Sequence, residues 1–182
     1  MFGPVREHAY IEWVIDDVRY TFEDGDEARR QMIPVEDLFE SHLAVADLNR
    51  SMTFFAEVLG FELAHATADG KAAFYWIGGR ENAMLGLWES QGPQKMSLHV
   101  AFRVKLDDLL VAAAHLRAAG IEPRDFSGNP TDEPVVLAWM PAASLYFYDP
   151  DGNLLEFLAM LPEPPEPALH VVSWTAWMKR RR

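Results

Sequence analysis

Apolar and polar residues alternate in two stretches of the chain that resemble each other, and in each the period then lengthens into that of a helix. In the first, SHLAVADLNRSMTFFAEVLGFEL, a strand over 38–45 leads to a helix over 48–59 on which Leu48, Met52, Phe55 and Leu59 form one apolar stripe. Asp47 offers an N-cap oxygen and Gly60 a left-handed stop. In the second, LHVAFRVKLDDLLVAAAHLRAAGIEP, a strand over 97–104 leads to a helix over 108–119, with Asp107 and Gly120 in the same roles at the same separation. Further strands are predicted at 61–66, 72–77 and 83–88 after the first helix, and near Ile121, over 144–148 and over 153–160 after the second. Asp69-Gly70 and Gly78-Gly79 mark turns between them. The chain therefore reads as a degenerate repeat of strand, helix and three strands.

At 182 residues, the length suits one good-sized core shared by the two repeats. The expected organisation is an N-terminal arm over 1–33, a single domain over 34–161 with module one at 34–92 and module two at 93–161, and a Pro-rich tether and tail over 162–182. In the arm, AYIEWVIDDVRYTF reads as an added hairpin around Asp16-Asp17. In the tail, PEPPEP is stiff and extended, and it leads to Trp174 and Trp177, which are expected to dock on the body or on a second subunit. The polar loop DFSGNPTDEP over 125–134 is a candidate lid.

Charge narrows the partners. The net charge of −12 opposes a polyanion, and the basic residues cluster only at Lys179–Arg182, so nucleic acid is not expected. With no cysteines, no signal-like start and no membrane-length apolar run, the expectation is a cytoplasmic protein with no membrane contact, no disulfides and no thiol catalysis.

The chemistry sits on the repeat. Each opening strand carries a histidine, His42 and His99, and YFYDPDGNLLEF brings Glu156 onto the last strand. Two similar halves that contribute imidazole and carboxylate to one cleft suggest a metal site. The order of elements and the closing YDPDGNLLE resemble the vicinal oxygen chelate superfamily, which includes glyoxalase I, fosfomycin-resistance thiol transferases, extradiol dioxygenases and bleomycin-resistance proteins; the resemblance covers 38–160. It implies an α+β fold in which two βαβββ modules form a paired, partly open curved-sheet cleft. It also implies a divalent ion (Zn, Ni, Mn or Fe(II)) held by His99 and Glu156, with a first-module ligand.

In the family that ligand stands where this chain has Glu40, and His42 follows two residues later on the same strand face. Both remain candidates, with His42 favoured as ligand and Glu40 also able to act as the carboxylate that moves a proton. The position of the first glutamate of glyoxalase I falls on Gly86, and Glu89 is out of phase with it, so the full glyoxalase set is missing. Tyr146 and Ser144 match residues of the fosfomycin-resistance subfamily, whose cationic handles are absent here. Arg103 shares the face of His99, and either holds a substrate carboxylate or carbonyl or pairs with an acid. Trp76, Met84, Trp88, Trp139 and Met140 make an apolar lining if they face the cleft and are otherwise plain core; Met84 and Trp88, in phase with Gly86, are the expected lining. His8, His65, His115 and His170 have no supporting context.

Two functions follow from the resemblance. One is a metal-dependent lyase or oxidoreductase that acts on a small substrate with neighbouring oxygens, by isomerisation, thiol addition or dioxygenation. The other is a metal-free protein that binds or sequesters a small molecule, of the bleomycin-resistance kind. The family also implies a homodimer, and leaves open whether the site draws its ligands from one chain or from both.

Overall fold

The alternating stretches form sheets in which the first strand of each module lies beside its last. The computed structural model describes residues 10–15, 18–23, 38–90, 92 and 97–181. Met1–Asp37 and Leu38–Arg182 are separate units. The first contains an antiparallel hairpin of β1 (Tyr10–Ile15) and β2 (Val18–Glu23), with Ile15 opposite Val18. The predicted turn at Asp16-Asp17 lies outside the described residues.

In the second unit, β3 (Glu40–Val45) is followed by α1 (Leu48–Thr53), β4 (Glu62–Ala66), β5 (Ala72–Ile77) and β6 (Ala83–Glu89). These strands make a four-stranded sheet in the order β3-β6-β5-β4, with β3 parallel to β6. Module two repeats the pattern with β7 (His99–Arg103), α2 (Leu106–Ala118), β8 (Val135–Leu137), β9 (Ala142–Tyr148) and β10 (Leu154–Met160). Here β7 runs parallel to β10. The tail adds β11 (Val171–Ser173) antiparallel to β8, giving the order β11-β8-β9-β10-β7, and then α3 (Trp174–Lys179). The fold is α+β with two mixed, open sheets.

Strand alternation determines what is core. Leu43 and Val45 of β3, Tyr75 of β5, Leu85 and Leu87 of β6, Leu145 and Phe147 of β9 and Leu155 of β10 are wholly buried or nearly so. They pack with Phe55, Leu109 and Leu116 into one cluster that spans both modules. At 25 cal/mol per Å² of apolar surface, each such side chain contributes about 2 kcal/mol. The intervening residues of each strand lie on the opposite face, and the candidate site residues are among them.

The elements depart from expectation in three places. Asp47 caps α1 as predicted, accepting from the Arg50 N–H at 3.0 Å, and Gly60 and Gly120 both take positive φ. In α2, however, the N-cap is Lys105, which provides no side-chain cap, and Asp107 lies inside the first turn, where its charge favours the helix dipole. The helix after Asp47 continues past Thr53 as a wider π turn, Phe54–Val58, and this places both Phe54 and Phe55 against the core. The strand expected near Ile121 is not formed. After Gly120 the chain makes only isolated bridges, from Arg124 to Pro130 and to Tyr146, and the second strand of module two is the three-residue β8.

The tail is part of the body. Trp177 is completely buried, and the Arg181 guanidinium stacks 3.2 Å from its ring centroid.

Candidate functional site

Register brings the predicted residues together in two groups. On module one, Glu40, His42 and Ala44 of β3 stand opposite Met84, Gly86 and Trp88 of β6. His42 Nε2 lies 3.1 Å from Glu40 Oε1. The imidazole occupies the space over Gly86: a Cβ at that position would sit 2.6 Å from His42 Cδ2 and 3.2 Å from Phe74 Cε1. Where the resemblance suggested a missing ligand, the glycine makes room for the histidine ring. Phe74 and Trp88 complete an aromatic wall, with ring centroids 6.0 and 5.8 Å from His42 and 5.9 Å from each other. Trp88 remains 45% exposed, so this wall is open to a ligand. Met84 lines a small crevice of about 140 Å³ with Ser41, Val100 and Ala101, between the two modules.

On module two, His99 Nε2 lies 3.0 Å from Glu156 Oε2. Glu156 is almost entirely buried, and its other oxygen, Oε1, has no hydrogen-bond partner. A carboxylate oxygen kept from water with no donor costs about 1–3 kcal/mol or more. Tyr146 stands opposite Glu156 in the ladder, with its ring 6.2 Å from that of His99. Burial, and then the Glu156 charge, push its phenol well above the ordinary 10.0, so the hydroxyl stays protonated. Ser144 lies one ladder step along the same face, buried, with its Oγ also unpartnered. Arg103 is exposed and makes no ion pair among the described residues.

The four predicted ligands thus fall into two pairs. Among the described residues no group of three or more His, Cys, Asp or Glu could hold a metal ion. Within each pair the chemistry does fit a divalent cation. Imidazole nitrogen and carboxylate oxygen suit first-row metals, and the orphaned Glu156 oxygen is the kind of group that a cation would satisfy.

Three features were not predicted from the sequence. A pocket of about 320 Å³ beside His99 is lined by Tyr146, Tyr148, Leu154, Arg124 and the start of the candidate lid, residues 125–128. In the YFYDPDG run, alternation alone puts Tyr148 on the face of Tyr146, but nothing in the sequence marks Arg124. Phe74 follows from its register opposite Gly86. The DPDG turn also serves module one: Asp151 accepts from Ala46 N, Arg50 Nη2 and Ser51 Oγ at 3.0, 2.6 and 2.9 Å.

This fold agrees with that of known proteins. The sequence profile of the Glyoxalase/Bleomycin resistance protein/Dioxygenase superfamily matches residues 35–157. Among solved structures, an integron cassette protein from the mobile metagenome of the Halifax Harbour sewage outfall is 32% identical with a TM-score of 0.61, and the match covers 69% of this chain and all of that one. The oxidase ChaP-H2 is 26% identical over 71% of this chain and 96% of its own, with a TM-score of 0.55. A mutant of the fosfomycin-resistance protein FosX from Listeria monocytogenes, solved in complex with Mn(II) and 1S,2S-dihydroxypropylphosphonic acid, shares the fold at 22% identity, 71% and 95% coverage and a TM-score of 0.54. No helix among the described residues is long and apolar enough to cross a membrane. The chain belongs to the Glyoxalase/Bleomycin resistance protein/Dioxygenase superfamily.

Proposed function

We propose that this chain is a divalent-metal-dependent enzyme acting on a small substrate with neighbouring oxygens, and that its site forms between two copies of the chain. The observation that carries the reading is the pairing of ligands: His99 with a buried, half-satisfied Glu156, and His42 with Glu40, two incomplete sets of matching chemistry. His99 and Glu156 of one chain, with His42 or Glu40 of a second, would hold the ion. A bound ion would act as a Lewis acid, lowering the energy of negative charge on a substrate oxygen.

The remaining steps belong to the chain's own groups. Tyr146 keeps its proton and is placed to donate a hydrogen bond to a substrate oxygen beside Glu156. Glu40, partly exposed, is free to move a proton at a substrate carbon when His42 serves as ligand. Phe74 and Trp88 form an apolar wall against which the carbon part of a substrate packs. A fold neighbour solved with Mn(II) supports the reading from outside the chain.

The same wall favours a second reading. An open surface of His42, Phe74 and Trp88 beside the Glu40 carboxylate suits a planar or cationic compound, as in a protein that sequesters a drug without metal.

Metal content separates the two. Protein purified without added metal or affinity tag is expected to carry near-stoichiometric metal by mass spectrometry, and His99→Ala and Glu156→Ala each to lose it. Wild-type protein that holds no metal, and takes up none on titration, would rule out the enzyme and leave the binder.

A further inference from the structure

The pocket beside His99 has a charge and a shape that the pairs of ligands do not explain. Its cation is Arg124. The backbone of Arg124 is fixed to β9 by two hydrogen bonds with Tyr146, at 2.7 Å from Arg124 N to Tyr146 O and 3.0 Å in return. The guanidinium therefore stands at a defined place: Nη1 donates to Gly128 O at 2.6 Å, and Cζ lies 5.5 Å from the centre of the Tyr148 ring. Nε is buried with no partner, and no acid among the described residues pairs with the group.

The acid nearest in sequence, Asp125, is engaged by the loop itself. Its carboxylate accepts from Ser127 N at 2.8 Å, from Asn129 N at 2.9 Å and from Asn129 Nδ2 at 3.2 Å. These bonds, together with that from Asp125 N to Asn129 O at 2.8 Å, make the loop a preformed wall. The other walls are aromatic. Phe126, largely exposed at the lip, meets Tyr146 edge-on at 6.2 Å, and Tyr148 stands two residues further along β9. At about 320 Å³ the space lies at the lower end of the range for ligand sites, enough for one ring and its substituents. The chain as a whole carries −12, so an acidic molecule is held here only if a local cation takes its charge.

We propose that this pocket binds a one-ring organic acid, with the acid group on Arg124 and the ring flanked by Phe126, Tyr146 and Tyr148. The inference rests on the proposed function in treating the pocket as part of the substrate cleft, and it narrows the substrate to an aromatic acid whose oxygens extend toward His99. A planar guanidinium recognises carboxylate by paired, charge-assisted hydrogen bonds, which a neutral amide of the same shape does not make.

The probes are benzoate and its neutral counterpart benzamide, titrated by nuclear magnetic resonance into the full-length protein as purified and again after EDTA treatment. Benzoate is expected to saturate in both preparations, shifting the resonances of Phe126 and Tyr148, with benzamide at least about tenfold weaker. Arg124→Gln is expected to cost benzoate about tenfold or more and to leave benzamide unchanged. If Arg124→Gln does not fold, the exposed Ser127→Glu decides in its place, because a negative charge at the lip weakens benzoate and spares benzamide.

Equal affinity for the two probes, an unchanged benzoate affinity in the deciding variant, binding that vanishes with EDTA, or no saturation at about 50 mM would each overturn the proposal. Metal analysis of the same preparation separates the two readings. Stoichiometric metal without benzoate binding defeats this pocket alone, whereas benzoate held through Arg124 in protein that takes up no metal defeats the metal reading alone.

Discussion

Tyr75 and Tyr146 carry hydroxyls into apolar surroundings from opposite faces of their sheets. Tyr75 lies wholly in the core, where its hydroxyl donates to the Met52 carbonyl at 3.3 Å, and burial raises its phenol above 10.0. Tyr146 is raised further, by burial and by the neighbouring Glu156 charge. Each phenol holds its proton to higher pH in the folded protein than in the unfolded chain. The stability they contribute is therefore complete below pH 10.0 and drains away as pH rises through the folded values. Each phenol then removes up to about 1.4 kcal/mol per pH unit. Urea unfolding followed from about pH 8 to about pH 11.5 is expected to show a steep alkaline loss that Tyr146→Phe and Tyr75→Phe each flatten. Equally steep curves in both variants would mean that these phenols titrate normally. Tyr146 was legible in the sequence through the resemblance, which singled it out together with Ser144. Its perturbation was not, because this depends on what covers the strand.

The YDPDGNLLE segment was the most specific piece of the sequence, yet its first task is structural. Asp149, buried, accepts from Asp151 N, Asn153 N and Asn153 Nδ2 at 2.8–2.9 Å and so forms the turn that starts β10. Asp151 then reaches across to module one, where its carboxylate receives Ala46 N, Arg50 Nη2 and Ser51 Oγ at the start of α1. The carboxylate is almost fully buried beside an Arg50 that is half exposed, so its removal leaves the buried Ser51 hydroxyl and the Arg50 charge without their acceptor. Asp151→Ala is expected to cost about 2–4 kcal/mol in urea unfolding, well above an ordinary surface change. A loss below about 0.5 kcal/mol would show that the modules hold together by their shared core alone. Elements with a strong period or cap were readable in advance, as β5 and the Asp47 cap illustrate. Two elements were missed for physical reasons. β8 has only three residues and forms because β9 and β11 flank it, a long-range circumstance. The π turn arises where Phe54 and Phe55 both bury themselves, which a 3.6-residue stripe does not foresee.

Across the whole molecule, the repeat made the two ligand pairs readable but not the distance between them, which depends on how modules and chains assemble. The strand pattern put Glu40 and His42 on one face, and the resemblance singled out His99 and Glu156; in the structure the two residues of each pair lie 3.1 and 3.0 Å apart. That they do not gather into one cluster among the described residues leaves the proposed site half-built in a single chain. A mixed dimer tests this directly. In a dimer of one His42→Ala chain and one His99→Ala chain, isolated by two different tags, a shared arrangement leaves one site with all its ligands and one site lacking two. If instead each site drew its ligands from its own chain, both sites would be damaged. The heterodimer is therefore expected to bind about half the metal of wild type, while each homodimeric variant binds little. A heterodimer that binds no metal, next to fully loaded wild-type protein, would place all the ligands within one chain and require the modules to close on each other.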